Sequence, residues 1–290
     1  MKNKNLLSII LAICIVVTCS TCAKSDIPPN SESVGKNSNF VSSTVKSSTL
    51  SNSINYSSSM PFSEYLKQIK SQSAVNQLKY IFKIMDSHPQ SRYLLNPNEY
   101  SDAIKTIEEL LKSDELNKYK SSDFNKLSPN LHLFQTKNME VIEYEPDPAI
   151  YGEINDNNFA FVRRIKDGKI NVIPLYGCVT KHIGYVYEES EDFLIVAGED
   201  KYVNPYFAYI DGFSVSDKKA EYSPVVSDYT NALWKITSNN GWVRRNSEKN
   251  LGTSILSASS STIIVQSIQS TDQYKINLNY DKDKRKYLIN

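Results

Sequence analysis

The hydrophobic positions of this chain fall into four successive regimes. The first is an apolar run, Leu6–Val17, behind the basic start MKNKN and ahead of Thr18-Cys19-Ser20-Thr21-Cys22-Ala23. A charged start, a dozen apolar residues and small residues behind them form an export signal over residues 1–23. Lys2 and Lys4 stay on the cytosolic side, so the chain that follows is expected outside the cytoplasm.

Three outcomes are open for this leader. Acylation would use Cys19, preceded by Val16-Val17-Thr18, or Cys22, preceded by Cys19-Ser20-Thr21. Each departs from the usual lipobox: Thr18 and Thr21 stand where Gly, Ala or Ser precedes the cysteine. Cleavage after Ala23 would use Thr21 and Ala23 as the small pair. An uncleaved Leu6–Cys22 would be a signal anchor slightly short of a full span. The expected address is the cell envelope, anchored rather than freely secreted.

The second regime, residues 24–60, contains thirteen serines and five asparagines and shows no periodic apolar stripe. Such a stretch buries too little surface to offset its ordering entropy and is expected to be a disordered tether. As a flexible coil it would span roughly 35 Å.

The third regime, 61–130, has helical spacing. Phe62, Leu66, Ile69, Leu78, Phe82 and Met85 form one stripe, which Ser71–Ser73 interrupt with an expected bend. Asn96, Pro97 and Glu99 form a capping-box start, followed by Tyr100, Ile104, Ile107 and Leu111 on one face. A short third helix is expected from Ser122-Asp123.

From residue 131 to 290 the period is two. Phe159–Ile165 and Ile170–Leu175 flank Asp167-Gly168, a type I′ hairpin signal. Further strands are expected at 183–187, 193–197, 206–213, 232–237, 242–245, 262–269, 273–280 and 286–289. Short links favour antiparallel neighbours. The expected fold is α+β, mainly β: N-terminal helices followed by an antiparallel β-meander, as a sandwich or half-barrel, with the helices covering one sheet face. As architecture alone, this order resembles lipoprotein-carrier half-barrels.

Charge and cysteine content narrow the partners. Without the five lysines and two acids of residues 1–60, 28 bases face 30 acids. That balance supplies no basic field for nucleic acid. Cys178 is the one cysteine after residue 60, so no internal disulfide is expected there; its apolar surroundings suggest a structural thiol. Nineteen tyrosines suit strands with one wet and one packed face.

Catalytic motifs are missing. His88, His132 and His182 lack metal-ligand spacing, and His132 is read as the polar side of a strand. Glu140, Glu143, Glu145 and Asp147, like Glu188, Glu189, Glu191 and Asp192, read as solvated turn or edge residues. No G-x-S-x-G elbow or phosphate loop occurs. Thus no catalytic residue, metal or cofactor is expected.

One aromatic group stands above background. Phe207, Tyr209 and Phe213 would share one strand face near Trp234 and Trp242, as an aromatic ligand surface or as filling between layers. Three functions follow: a tethered, non-catalytic module binding a polymer, peptide or protein; a carrier of an acyl chain or other apolar ligand; and an extracytoplasmic hydrolase using Glu143 and Glu145.

Overall fold

Helical spacing in the third regime produces helices where the apolar stripes run unbroken. A computed structural model describes Tyr56 and residues 60–86, 95–146, 158–179, 181–200, 206–246, 251–268 and 274–289. Cys19, Cys22 and His88 lie outside these, as does the side chain of Cys178. Helices α1 (Phe62–Ile69) and α2 (Ala74–Asp86) are separated at the expected bend. Helix α3 (Pro97–Leu110) starts with the expected capping box: Asn96 Oδ1 accepts from the Asn98 and Glu99 amides, and Glu99 Oε2 accepts from the Asn96 amide. Glu99 Oε1 also accepts from the Phe62 amide, tying the start of α1 to α3. A 3-10 turn (Asp114–Lys118) and a four-residue helix α4 (Ser121–Phe124) complete the helical part. Tyr56, inside the stretch expected to be disordered, packs edge-on against Tyr65 at 5.3 Å.

Period-two alternation then forms fifteen strands in three sheets among the described residues. The first sheet is a meander of β1 (Leu131–Gln135), β2 (Met139–Tyr144), β3 (Asn158–Lys166) and β4 (Lys169–Val179). Its β3–β4 turn is the expected Asp-Gly pair, with φ of 51° at Asp167 and 73° at Gly168. The second sheet runs in the order β5 (Lys181–Ser190), β6 (Phe193–Asp200), β7 (Phe207–Val215), β11 (Trp242–Arg245), β10 (Trp234–Thr237) and β9 (Tyr229–Thr230). Strand β8 (Ala220–Tyr222) pairs with β7. The third sheet is another meander, β12 (Thr253–Ala258), β13 (Thr262–Ser267), β14 (Lys275–Asp281) and β15 (Lys286–Ile289).

The protein is therefore α+β and mainly β, with the single expected meander replaced by two meanders and a sheet of mixed order. The reason is two-sided burial. Leu133, Ile142, Tyr144 and Phe161 face the helices, whereas Met139, Val141, Val162 and Ile173 face the second sheet. The second sheet likewise presents Leu194, Val196, Tyr209 and Phe213 to the first sheet, and Ile195, Ala197, Ala208 and Ile210 to the third. Successive strand residues point to opposite faces, so an apolar run fills two cores at once. The layers are helices, first sheet, second sheet and third sheet.

Arg163 ties the helices to the first sheet. Fully buried, it donates from Nε to the Leu111 carbonyl at 2.8 Å and from Nη1 to Glu140 Oε2 at 2.8 Å. The guanidinium thus covers the carbonyl end of α3, where the helix carries partial negative charge.

Candidate functional site

Strand β4 of the first sheet ends at Val179, and β5 of the second begins at Lys181. This near-immediate crossover makes a corner, and polar side chains collect there. The β1–β2 register sets His132 directly opposite Glu143, while the Glu145 amide donates to the Asn130 carbonyl and extends the ladder. His132, Glu143 and Glu145 consequently share one strand face, continuing the row Met139 and Val141. The crossover then brings His182 onto them. The His132 and His182 rings lie 6.1 Å apart, edge to face.

Contacts within this group are close. His182 Nδ1 is in ionic contact with Glu145 Oε2 and lies 3.6 Å from Glu143 Oε2; His132 Nε2 lies 3.8 Å from Glu145 Oε2. Glu143 is 1% exposed. Its Oε1 accepts from the Ile183 amide at 2.8 Å, and its Oε2 has no hydrogen-bond partner among the described residues. Burial pushes the Glu143 carboxyl above its ordinary value, against the pull of His182 and the Ile183 amide. Burial also opposes protonation of His182, but Glu143 and Glu145 outweigh it and carry the imidazole from 6.5 to about 9. The charged form of His182 is thus favoured beside Glu143 and Glu145.

The expectation that Glu143 is solvated is corrected by its burial on the inner face of the first sheet. Register joins side chains that spacing along the chain keeps apart: His132 and Glu143 are cross-strand partners across a short turn, a relationship that no i, i+4 pattern displays. Alternation from Met139 and Val141 through Glu143 to Glu145 was the signal available in sequence.

A second polar group lies beside the first. Asp211 Oδ2 accepts from Lys181 Nζ at 2.5 Å and from Tyr176 Oη at 2.6 Å, and Tyr209 Oη donates to the His182 carbonyl at 3.2 Å. Lys181 Nζ also stands 4.6 Å from the Tyr209 ring centre.

The five aromatics singled out above are distributed through the layers. Tyr209 and Phe213 are buried between the first and second sheets, and Trp234 between the second and third. Phe207 is buried 5.9 Å from the half-buried Trp242. Trp242 Nε1 donates to Asp200 Oδ2 at 2.9 Å, and Arg244 lies 4.1 Å over its ring. Tyr209 and Phe213 thus meet the first sheet, and with Trp234 they fill interlayer space.

An open cleft of about 360 Å³ lies where the second and third sheets part. Tyr187 and Tyr280 supply rings, Ser260 and Ser261 come from the β12–β13 turn, and Glu189 and Lys282 bring charge. Glu189 Oε2 and Tyr280 Oη are buried atoms without hydrogen-bond partners among the described residues; Arg285 Nη2 approaches Glu189 Oε2 only to 3.9 Å. Burial, reinforced by the charge of Glu189, pushes the Tyr280 hydroxyl upward.

Comparison of the chain with family models, curated proteins and solved structures returns no match.

Proposed function

We propose that the protein is a membrane-tethered, extracytoplasmic module that acts by binding, and that its ligand is a saccharide unit held in the Tyr187–Tyr280 cleft. The observation that carries this reading is a pair of buried atoms without hydrogen-bond partners among the described residues, the acceptor Glu189 Oε2 and the donor Tyr280 Oη, in a cleft lined by the Tyr187 and Tyr280 side chains. A sugar hydroxyl donates to a carboxylate and accepts from a phenol, while the apolar face of the sugar ring lies against an aromatic face. A cleft of this volume admits a small sugar unit and stays open for the rest of a polymer. The leader delivers the body across the membrane, with Cys19 or Cys22 as the acylated residue, and the serine-rich stretch ahead of Tyr56 holds it off the lipid.

The apolar side chains packed between the layers favour this reading over an apolar-ligand carrier. Glu143 is engaged by the Ile183 amide and faces an opposing sheet, which disfavours its use as one of two carboxylates across an open cleft.

The test is calorimetric titration of the detergent-solubilised full chain with mono- and disaccharides and soluble envelope-glycan fragments. Saturable binding that weakens at least tenfold in both Tyr280→Phe and Glu189→Gln is expected, since each change strands a buried polar partner. Absence of binding to all of them, or undiminished binding in both variants, would overturn the reading.

A further inference from the structure

We propose that His132, Glu143, Glu145 and His182 form a binding site for one divalent transition-metal cation of the zinc class, at the corner joining the first and second sheets. This site is separate from the tyrosine cleft and goes beyond the saccharide reading.

Geometry carries the assignment. Ligand-capable atoms of His132, Glu143 and Glu145 all lie within 4.8 Å of one another. His182 Nδ1 joins them at 3.6 Å from Glu143 Oε2. Zinc bonds of about 2.0–2.2 Å set tetrahedral ligand atoms roughly 3.3 Å apart, so small side-chain rotations close the set.

The second observation is Glu143 itself. Its side chain is 1% exposed, and one oxygen is spent on the Ile183 amide. The other oxygen lies 3.6 Å from His182 Nδ1 and lacks a hydrogen bond among the described residues. A buried carboxylate oxygen held only by so long an ionic contact is costly, and a bound cation would offset that cost. The Ile183 amide orients the carboxylate in the manner of an outer-shell partner.

Donor chemistry selects the cation. Two imidazoles and two carboxylates suit zinc, cobalt, iron or manganese, whereas calcium requires six to eight oxygens. Two carboxylates also balance the charge of a dication when both imidazoles are neutral. Entry is open from solvent, because the His132 and His182 side chains are 38% and 28% exposed. Three ligands come from the β1–β2 hairpin and its end and one from β5, so a bound cation would clamp the two sheets together.

The experiment uses the untagged full chain in detergent, stripped with a chelator and titrated with Co²⁺ alone. Expected are one equivalent bound, visible absorption bands of tetrahedral cobalt, their loss on adding Zn²⁺, and a higher unfolding temperature with either ion. Ca²⁺ should produce none of these. His132→Ala, at a half-exposed position, should fold and bind Co²⁺ at least tenfold more weakly; Glu143→Gln, which keeps an oxygen for the Ile183 amide, should do the same. Tyr280→Phe should bind cobalt normally, separating this site from the cleft. No saturable cobalt binding by the parent chain, or unchanged affinity in His132→Ala, would overturn the proposal.

Discussion

Lys181 Nζ lies 2.5 Å from Asp211 Oδ2, joining the first residue of β5 to the middle of β7 beneath the first sheet. Asp211 is fully buried, and burial pushes its carboxyl upward, while Lys181 and Tyr176 pull it back. Opposite charges in such a place depend on each other. Removing one strands the other in a poorly solvated site.

Lys181→Met is therefore expected to destabilise the fold by about 3–5 kcal/mol. Adding Asp211→Asn should restore a large part of that loss, because a neutral amide still accepts from Tyr176. Urea unfolding of the two single variants and the double variant forms the cycle. Strict additivity would show that the pair is not coupled.

Three glycines make a graded steric test. A Cβ at Gly198 would stand 1.9 Å from the His182 carbonyl oxygen. At Gly241, where φ is +64°, it would stand 2.3 Å from the Ile210 carbonyl oxygen. At Gly177 it would meet nothing within 4 Å. Gly198→Ala and Gly241→Ala should each lose more than about 2 kcal/mol, and Gly177→Ala should stay within about 0.5 kcal/mol of the parent. Thermal melts that rank Gly177→Ala with the other two would contradict this account of the close approach at the corner.

Glu188 supplies a pH-dependent fastening. Thr136 Oγ1 and the Asn138 amide (2.5 and 2.7 Å) donate to its Oε2, pinning the β1–β2 turn to the end of β5. Burial raises this carboxyl, but those donors prevail and hold it below its ordinary 4.5. A lowered carboxyl contributes stability that is complete above the unfolded value and is lost as pH falls through the folded one. The stability advantage of the parent over Glu188→Gln should thus be greatest near neutrality and shrink below about pH 4.5. An advantage that stays constant from pH 7 to pH 3 would rule out the ionised form as the source.

Much of the local structure was legible. Asn96, Pro97 and Glu99 announced α3, Asp167-Gly168 announced the β3–β4 hairpin, and Ser71–Ser73 marked the break between α1 and α2. Strands β1 and β2 were legible only as a period of two from residue 131, and β8, β9 and β12 were not anticipated. Strands β8 and β9 are three and two residues long, and β12 reads Thr-Ser-Ile-Leu-Ser-Ala, with no clean alternation. They exist because neighbouring strands and the adjacent sheet supply hydrogen bonds and cover. Thr253 shows this: its Oγ1 accepts from the Ala208 amide at 2.9 Å and donates to the Val243 carbonyl at 2.5 Å.

The site was less legible. Glu143 and Glu145 looked like other acidic residues on a strand, and His182 stands 39 positions beyond Glu143. The shared face of Phe207, Tyr209 and Phe213 could be read from alternation, but not the sheet that covers it.

Helix starts, the β3–β4 turn and the spacing of apolar faces were settled by residues within a few positions of one another, because capping, φ preference and side-chain periodicity act at that range. The stacking of three sheets, and the meeting of His132, Glu143, Glu145 and His182 at their corner, were settled by packing. Register across a hairpin and the crossover between sheets depend on burying two faces at once, a condition that exists only when distant strands are already together.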